Sequence, residues 1–454
     1  MIMNLIRKYN TAAPRYTSYP TVPYWDENTF DLQTWKTLLK KAFQATNNKD
    51  GISIYIHLPF CEKLCTYCGC NKHITVNHAV EEPYLQTVLK EWELYVAAFD
   101  GKPRIREIHL GGGTPTFFSP ENLTMLLQGI YQHAELLPDA SLGFEGHPGN
   151  TTPEHLQTLY NLGFRRISLG IQDFDPRVQE IINRLQPFDM VARVVEHARK
   201  TGFTAINFDL IYGLPLQTAC GMQDTIDKVM QLRPDRISFY SYAHVPWIKG
   251  VGQRRYSEAD LPKDEEKRRL YELGKMLFAR NGYTEIGMDH FALPGDELFI
   301  AAAKGELHRN FMGYTVSHTS LLVGLGASSI GDNGYGYVQN EKQVAAYQEK
   351  VNKGDFPIIR GHILNAEDQL LKGHIRDLMC TFETSWRKAD TQCDAVMEGL
   401  QRLQELERDG LVEVVKNRVA VTAKGRPFIR NICMAFDARL WRKLPESQLF
   451  SKAI

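Results

Sequence analysis

The chain has 454 residues, in which 53 Lys plus Arg balance 53 Asp plus Glu. Such a length holds one core of about 250–350 residues plus a smaller unit. The charge balance excludes a long-range field for nucleic acid or an anionic membrane, while leaving room for local basic pockets that take small anions.

The opening segment MIMNLIRKYN lacks the apolar core of a signal peptide, and no apolar run approaches a membrane span of ~18 residues. A cytoplasmic protein with no membrane partner is expected. The 8 cysteines are too sparse for a disulfide framework, yet four of them fall within residues 61–70. That clustering is the first sign of metal chemistry.

Residues 1–50 read as an irregular N-terminal arm, with prolines at 14, 20 and 23, followed by a helix around 32–45. From residue 51 onward, β-type runs occur at 53–58, 105–110, 141–145, 166–171, 205–211 and 236–240. Helical patterns at 84–99, 120–132, 153–162, 190–201 and 222–232 separate them. The repeat of about 30 residues is the length of a right-handed βα unit. A closed barrel needs eight units and six are present, so an α/β fold is expected, an open three-quarter (β/α)6 barrel over 51–245.

Residues 246–360, with a helix at 263–281 and a Gly- and aromatic-rich stretch at 313–337, read as a barrel extension carrying substrate-side elements. Residues 361–454 read as mostly helical and winged-helix-like: two helices, then short β runs at 411–415 and 419–421 around a turn. Such units can bind DNA or simply pack. Without a basic excess, no nucleic-acid partner is expected.

Chemistry-bearing residues follow the strands. The first β run enters His57-Leu58-Pro59-Phe60-Cys61-Glu62-Lys63-Leu64-Cys65-Thr66-Tyr67-Cys68-Gly69-Cys70. The spacing C-x3-C-x2-C offers three soft thiolates, one per iron of a cubane cluster, and leaves one iron open to a small molecule. Zinc is the rival. It wants four ligands, often as two C-x2-C pairs, and no second pair occurs in the chain. Cys70 could serve as a fourth ligand but would close the site.

The second strand ends in Leu110-Gly111-Gly112-Gly113-Thr114-Pro115-Thr116, where missing Cβ atoms let the backbone approach a ligand. Alone, such a run is usually a turn. Glu145 closes the third strand, Gln172 and Asp173 follow the fourth with Asn183-Arg184 beyond, and Asp209 lies in the fifth. Each by itself is a surface or capping group. Together they set an acid, an amide, a guanidinium and a second acid at successive strand ends, suited to a ligand with hydroxyls, a cationic centre and a carboxylate.

The cysteine loop after the first strand of a partial βα barrel resembles the radical S-adenosylmethionine (SAM) superfamily. Within it, further segments resemble the oxygen-independent coproporphyrinogen III oxidases over nearly the full length. They are Pro14-Arg15-Tyr16-Thr17-Ser18-Tyr19-Pro20, Cys68-Gly69-Cys70-Asn71-Lys72, Gly287-Met288-Asp289-His290-Phe291, His308-Arg309-Asn310-Phe311 and Arg430-Asn431-Ile432-Cys433-Met434, besides the glycine run and Asn207 to Pro215.

The resemblance implies a [4Fe–4S] cluster on Cys61, Cys65 and Cys68, whose open iron holds SAM and delivers the electron that cleaves it to a 5′-deoxyadenosyl radical. It implies two SAM molecules per site. Tyr55, Tyr67, Gly112, Glu145 and Ile330 would contact the first, and Gly113, Thr114, Gln172, Arg184, Asp209 and Ala243 the second. Cys70 and Tyr55 would serve catalysis, Cys70 lying near the cluster without ligating it. The implied reaction turns two propionates of coproporphyrinogen III into vinyls, giving protoporphyrinogen IX in heme biosynthesis. A monomer fed by a flavodoxin- or ferredoxin-like electron donor is implied too.

There are two departures from the family pattern: Glu145-Gly146-His147-Pro148, where Glu-x-Asp-Pro is frequent, and Met312, where Gln is frequent. A substrate with four carboxylates calls for cationic anchors, and Arg15, His308 and Arg309 are candidates. The arm at 15–20 would either cover the open side of the barrel or pack on it through Tyr16 and Tyr19. Two other members of the superfamily remain as alternatives, a heme-binding chaperone and a heme-opening methyltransferase. The chaperones typically lack the arm and have Phe where Cys70 stands.

Overall fold

The computed structural model describes residues 2–246, 252–253, 255–447 and 449–453. All six β runs are strands: β1 (Ile52–Leu58), β2 (Arg104–Gly112), β3 (Glu135–Gly146), β4 (Arg166–Gln172), β5 (Ala205–Tyr212) and β6 (Arg236–Ser241). They lie parallel and in chain order within one 12-stranded sheet. Strand β3 starts earlier than its apolar run, because Glu135 and Leu136 pair with Arg104 and Ile105.

Side-chain alternation explains how the sheet divides its labour. Ile54, Ile56, Ile108, Leu110, Phe144, Ile167, Leu169, Ile206, Phe208, Ile237 and Phe239 are buried in the main core with the helices. The intervening Glu107, His109, Glu145, Ser168, Asn207, Asp209 and Ser238 line the barrel interior. With a side-chain period of two, the helix-facing side buries the area that stabilises the sheet and the inner side is free for chemistry.

The helices Pro120–Gln132, Pro153–Asn161 and Ala219–Leu232 each start on a capping side chain, Ser119, Thr152 and Thr218, which accepts a backbone N–H of the first turn.

A seventh parallel strand, β7 (Leu322–Leu325), lies on the other side of β1, with Tyr55 opposite Gly324. It comes from the Gly- and aromatic-rich stretch, whose composition hides a strand. Antiparallel strands Ile330–Asp332, Gly336–Asn340 and Ile358–Ile363 continue the sheet from there. His290–Ala292 and Thr284–Gly287 extend it beyond β6. The two outer strands are not neighbours, so the barrel is open as expected.

The C-terminal part packs helices Ala366–Thr381 and Asp394–Arg408 on a three-stranded antiparallel sheet of Glu383–Ser385, Arg418–Val421 and Val412–Val415. This winged-helix-like unit has its own core, and the N-terminal arm is part of it: Leu5, Ile6, Tyr16 and Tyr19 are buried among Leu371, Ile375, Ile432 and Phe436. The arm is therefore less irregular than its sequence suggests. Ile2–Tyr9 is a helix, and the Arg430 guanidinium donates to the carbonyls of Ala13 and Pro14.

Candidate active site

Strand β1 delivers the cysteine loop to the C-terminal rim of the barrel, where parallel βα barrels place their chemistry. Phe60 and Cys61 pair with His73 and Ile74, which closes the loop at its base. Phe60, 1% exposed, packs edge-on against Tyr84 and beside Phe117 and Phe118. Thr66 N–H donates to Ile182 O at 3.0 Å and Asn183 Nδ2 to Leu64 O at 2.8 Å, tying the loop to the segment after β4.

Cys61, Cys65, Cys68 and Cys70 all line one cavity of about 530 Å³. Cys61 Sγ lies 3.3 Å from Thr114 Oγ1, and Arg184 Nη1 lies 3.7 Å from Cys65 Sγ. Burial pushes the Cys61 thiol up to about 11. The neighbouring Cys70 thiol favours the Cys68 thiolate, lowering it to about 6, and is itself pushed well above the usual thiol range. Among the described residues, no three His, Cys, Asp or Glu groups converge closely enough for a single ion. Three soft thiols on one short loop, all lining one cavity, are the donor type an iron–sulfur cluster takes, so the residues present fit such a cluster.

The glycine run lies against this loop. A Cβ on Gly113 would sit 2.5 Å from Pro59 O, and Gly113 N–H donates to Leu58 O at 2.8 Å. Gly112 has φ +113°, a conformation that disfavours any side chain. Its N–H donates to Glu145 Oε2 at 3.3 Å, while His109 Nε2 lies 3.4 Å from Glu145 Oε1. Burial works against the Glu145 charge, but the His109 contact and the Gly112 N–H outweigh it and hold the carboxyl below its ordinary value.

Asp209 goes the other way. Burial, then the Glu145 charge, raises it, although Ser168 and Asn207 donate to it at 2.9 and 2.8 Å. The two inward-facing carboxyls, Glu145 near the end of β3 and Asp209 within β5, thus differ in proton affinity. Arg184 is held by the Gly170 carbonyl, 2.7 Å from Nη2.

The cavity gathers Cys61, Cys65, Cys68, Cys70, Tyr67, Gly112, Gly113, Thr114, Glu145, Gln172, Arg184 and Asp209. Tyr55, Ala243 and Ile330 do not line it. Tyr55 stacks on His109 behind Glu145, with ring centroids 6.1 Å apart. Gln253 donates to the Ala243 carbonyl at 3.0 Å and to the Tyr67 carbonyl at 3.2 Å, which places Ala243 near Tyr67. Ile330 packs beside Trp25 and Tyr337.

Ser168 and Tyr240 also line the cavity, and His109 supports Glu145; these went unread in the sequence. Their signal is positional, because each occupies an inward-facing place on its strand. Of the two departures, His147 lines the cavity as a neutral imidazole, lowered to about 3 by burial and then by Arg184 and Lys63. Met312 lines a smaller cavity of about 140 Å³ inside the barrel, together with Glu145 and Asp209.

The sequence pattern of the radical SAM superfamily matches residues 55–229. The oxygen-independent coproporphyrinogen III oxidase of Escherichia coli K12 is 38% identical over 455 residues, covering 99% of this chain and 98% of that protein. Its counterpart from a Synechocystis strain is 38% identical, covering 99% and 97%. A solved structure of the E. coli coproporphyrinogen III oxidase, described as a radical SAM enzyme, superposes with a TM-score of 0.89 at 37% identity, covering 96% of this chain and 98% of that one.

Proposed function

The chain belongs to the oxygen-independent coproporphyrinogen III oxidases of the radical SAM superfamily, and from that membership we propose how its residues divide the work. The activity is oxidative decarboxylation of coproporphyrinogen III in heme biosynthesis. The observation that carries the assignment to this site is the C-x3-C-x2-C loop, whose thiols face one cavity with the glycine run and the strand-end carboxylates. When bound, the [4Fe–4S] cluster and SAM supply one-electron chemistry that takes hydrogen from an unactivated carbon.

Each of two propionates would give up one β-hydrogen atom to the SAM-derived chemistry, one CO2, and one electron to a one-electron acceptor outside the chain, and a vinyl group would remain. No general acid or base is required for that balance. The protein holds and orients instead.

Cys61, Cys65 and Cys68 bind the cluster, and Cys70 stands beside it. Two SAM molecules occupy the site. Tyr67, Gly112 and Glu145 serve the first; Tyr55, stacked on His109, and Ile330, packed beside Trp25 and Tyr337, lie outside the cavity lining. Gly113, Thr114, Gln172, Arg184 and Asp209 serve the second, with Ala243 near Tyr67 outside the cavity lining. Glu145, held below its ordinary value, offers a fixed negative charge to hydroxyl and cationic groups. Arg184 offers its guanidinium to a carboxylate.

The electron comes from a flavodoxin- or ferredoxin-like protein. The enzyme works as a monomer in the cytoplasm, without nucleic-acid or membrane partners. Among the described residues no helix is long and apolar enough to cross a membrane.

Anaerobic incubation of reconstituted protein with SAM, a reductant and coproporphyrinogen III, read by mass spectrometry, tests the reading. Loss of two CO2 per substrate is expected. SAM cleavage with unchanged substrate would overturn it.

A further inference from the structure

We propose that a second cavity, of about 600 Å³, between the arm, the strand His308–Asn310 and the helix Ala366–Thr381, recognises the carboxylates of the tetrapyrrole through Arg309, Lys372 and Arg376. This rests on the reaction assigned above and says where its substrate is held.

Arg309 is the strongest indication. Its Nε and Nη1 are buried with no hydrogen-bond partner, and it forms no ion pair among the described residues. Its remaining contacts are Nη2 to the Arg15 carbonyl at 3.3 Å and the Tyr314 ring, 4.4 Å below the guanidinium carbon. Buried guanidinium donors are almost always satisfied, and a carboxylate is the acceptor that matches two of them at once.

Lys372 and Arg376 add two more charges to the walls. Lys372 Nζ lies 3.0 Å from Asp332, and Arg376 Nη2 lies 3.0 Å from Asp377. Three cations therefore face two carboxylates, an excess of one positive charge. His308, on the same wall, is kept neutral by burial and by the charges of Arg376, His318 and Lys372.

Arg15, by contrast, is committed to Asp289 at 3.0 Å and does not line this cavity. The volume lies within the range of pockets that enclose an organic ligand, about 300–1,000 Å³.

The cavity also adjoins the reacting end. His308–Asn310 pairs with Gly313–Thr315. His308 and Arg309 line the second cavity, whereas Met312, Tyr314 and Thr315 line the small barrel cavity that Glu145 and Asp209 share with the cysteine cavity. A macrocycle held by its carboxylates here lies one hairpin away from the strand-end acids. The arm residues Tyr16 to Tyr19 form another wall, which gives the arm a part in enclosing the substrate as well as in packing.

The test is a fluorescence titration of the cluster-loaded protein with coproporphyrin III, the oxidised tetraacid, and with its tetramethyl ester. Arg309→Gln should weaken tetraacid binding by about tenfold or more, the loss of a charge-assisted hydrogen bond. Arg376→Gln, at a side chain 47% exposed, should weaken it by about threefold. Both should keep wild-type iron content and reductive SAM cleavage, and the ester should bind more weakly than the acid to the wild type.

Wild-type affinity in both variants, or equal affinity for acid and ester, overturns the proposal. Should Arg309→Gln not fold, Arg376→Gln decides it alone. A wild type that decarboxylates coproporphyrinogen while the variants bind normally sinks this site only. A wild type that makes no decarboxylated product sinks the reaction assignment itself.

Discussion

The Tyr16 hydroxyl donates to the Asp437 carboxylate at 3.0 Å, both groups buried, across 421 residues of chain. This bond joins the first segment of the protein to the start of its last helix, Ala438–Arg442. Burial raises the Asp437 carboxyl to about 6, although Leu440 N–H and Tyr16 pull it down.

A pH dependence follows. The folded value lies above the ordinary 3.8, so between about pH 4 and 6 the native state binds more protons than the unfolded chain. The associated stability is present below about pH 4 and is lost as pH rises through about 6. Asn does not titrate, so Asp437→Asn should gain on the wild type by up to about 3 kcal/mol between pH 4 and 7. Denaturant titrations at several pH values measure this; a constant difference would refute it.

Tyr19 is 1% exposed in the core that the arm shares with the C-terminal helices. Tyr19→Ala should cost about 3–5 kcal/mol, as large aromatic truncations in cores do. Removal of residues 1–20 should expose the C-terminal unit to limited proteolysis before the barrel. Equal protease resistance in the truncated chain would show that the arm is dispensable for packing.

Iron should be lost from Cys61→Ala, Cys65→Ala and Cys68→Ala, and retained by Cys70→Ala with reduced turnover. Iron content and the visible absorption of the anaerobic protein report it. Iron loss in Cys70→Ala together with retention in Cys61→Ala would reverse the ligand assignment.

Glu145→Gln and Asp209→Asn should each weaken SAM binding by about 1–3 kcal/mol, the range for hydrogen bonds to charged groups. Equilibrium titration measures the effect, and unchanged affinity in both would contradict the strand-end reading.

Gly113→Ala tests the backbone. Its Cβ would meet Pro59 O at 2.5 Å, so the glycine run and the cysteine loop must separate. Reduced iron retention and SAM affinity together are expected, and a variant matching the wild type in both would show that the close approach is not needed.

The local code carried much of this protein. Six strands were legible because apolar residues at alternate positions bury against helices whatever the rest of the chain does. The cysteine spacing was legible because soft ligands on one short loop have few other uses. Strand β7 was not, since its Val323 and Gly324 gain their meaning only from pairing beside Ile54 and Tyr55, some 270 residues earlier.

The same holds for the acids and cations. Sequence placed Glu145 and Asp209 at strand ends, but their opposite shifts arise from tertiary packing: at Glu145 burial is outweighed by the His109 contact and the Gly112 N–H, while burial and then the Glu145 charge raise Asp209. Arg15 and Arg309 looked equivalent as substrate anchors. Tertiary structure alone separated them: Asp289 neutralises Arg15, while Arg309 is folded over Tyr314 with two buried donors left without an acceptor.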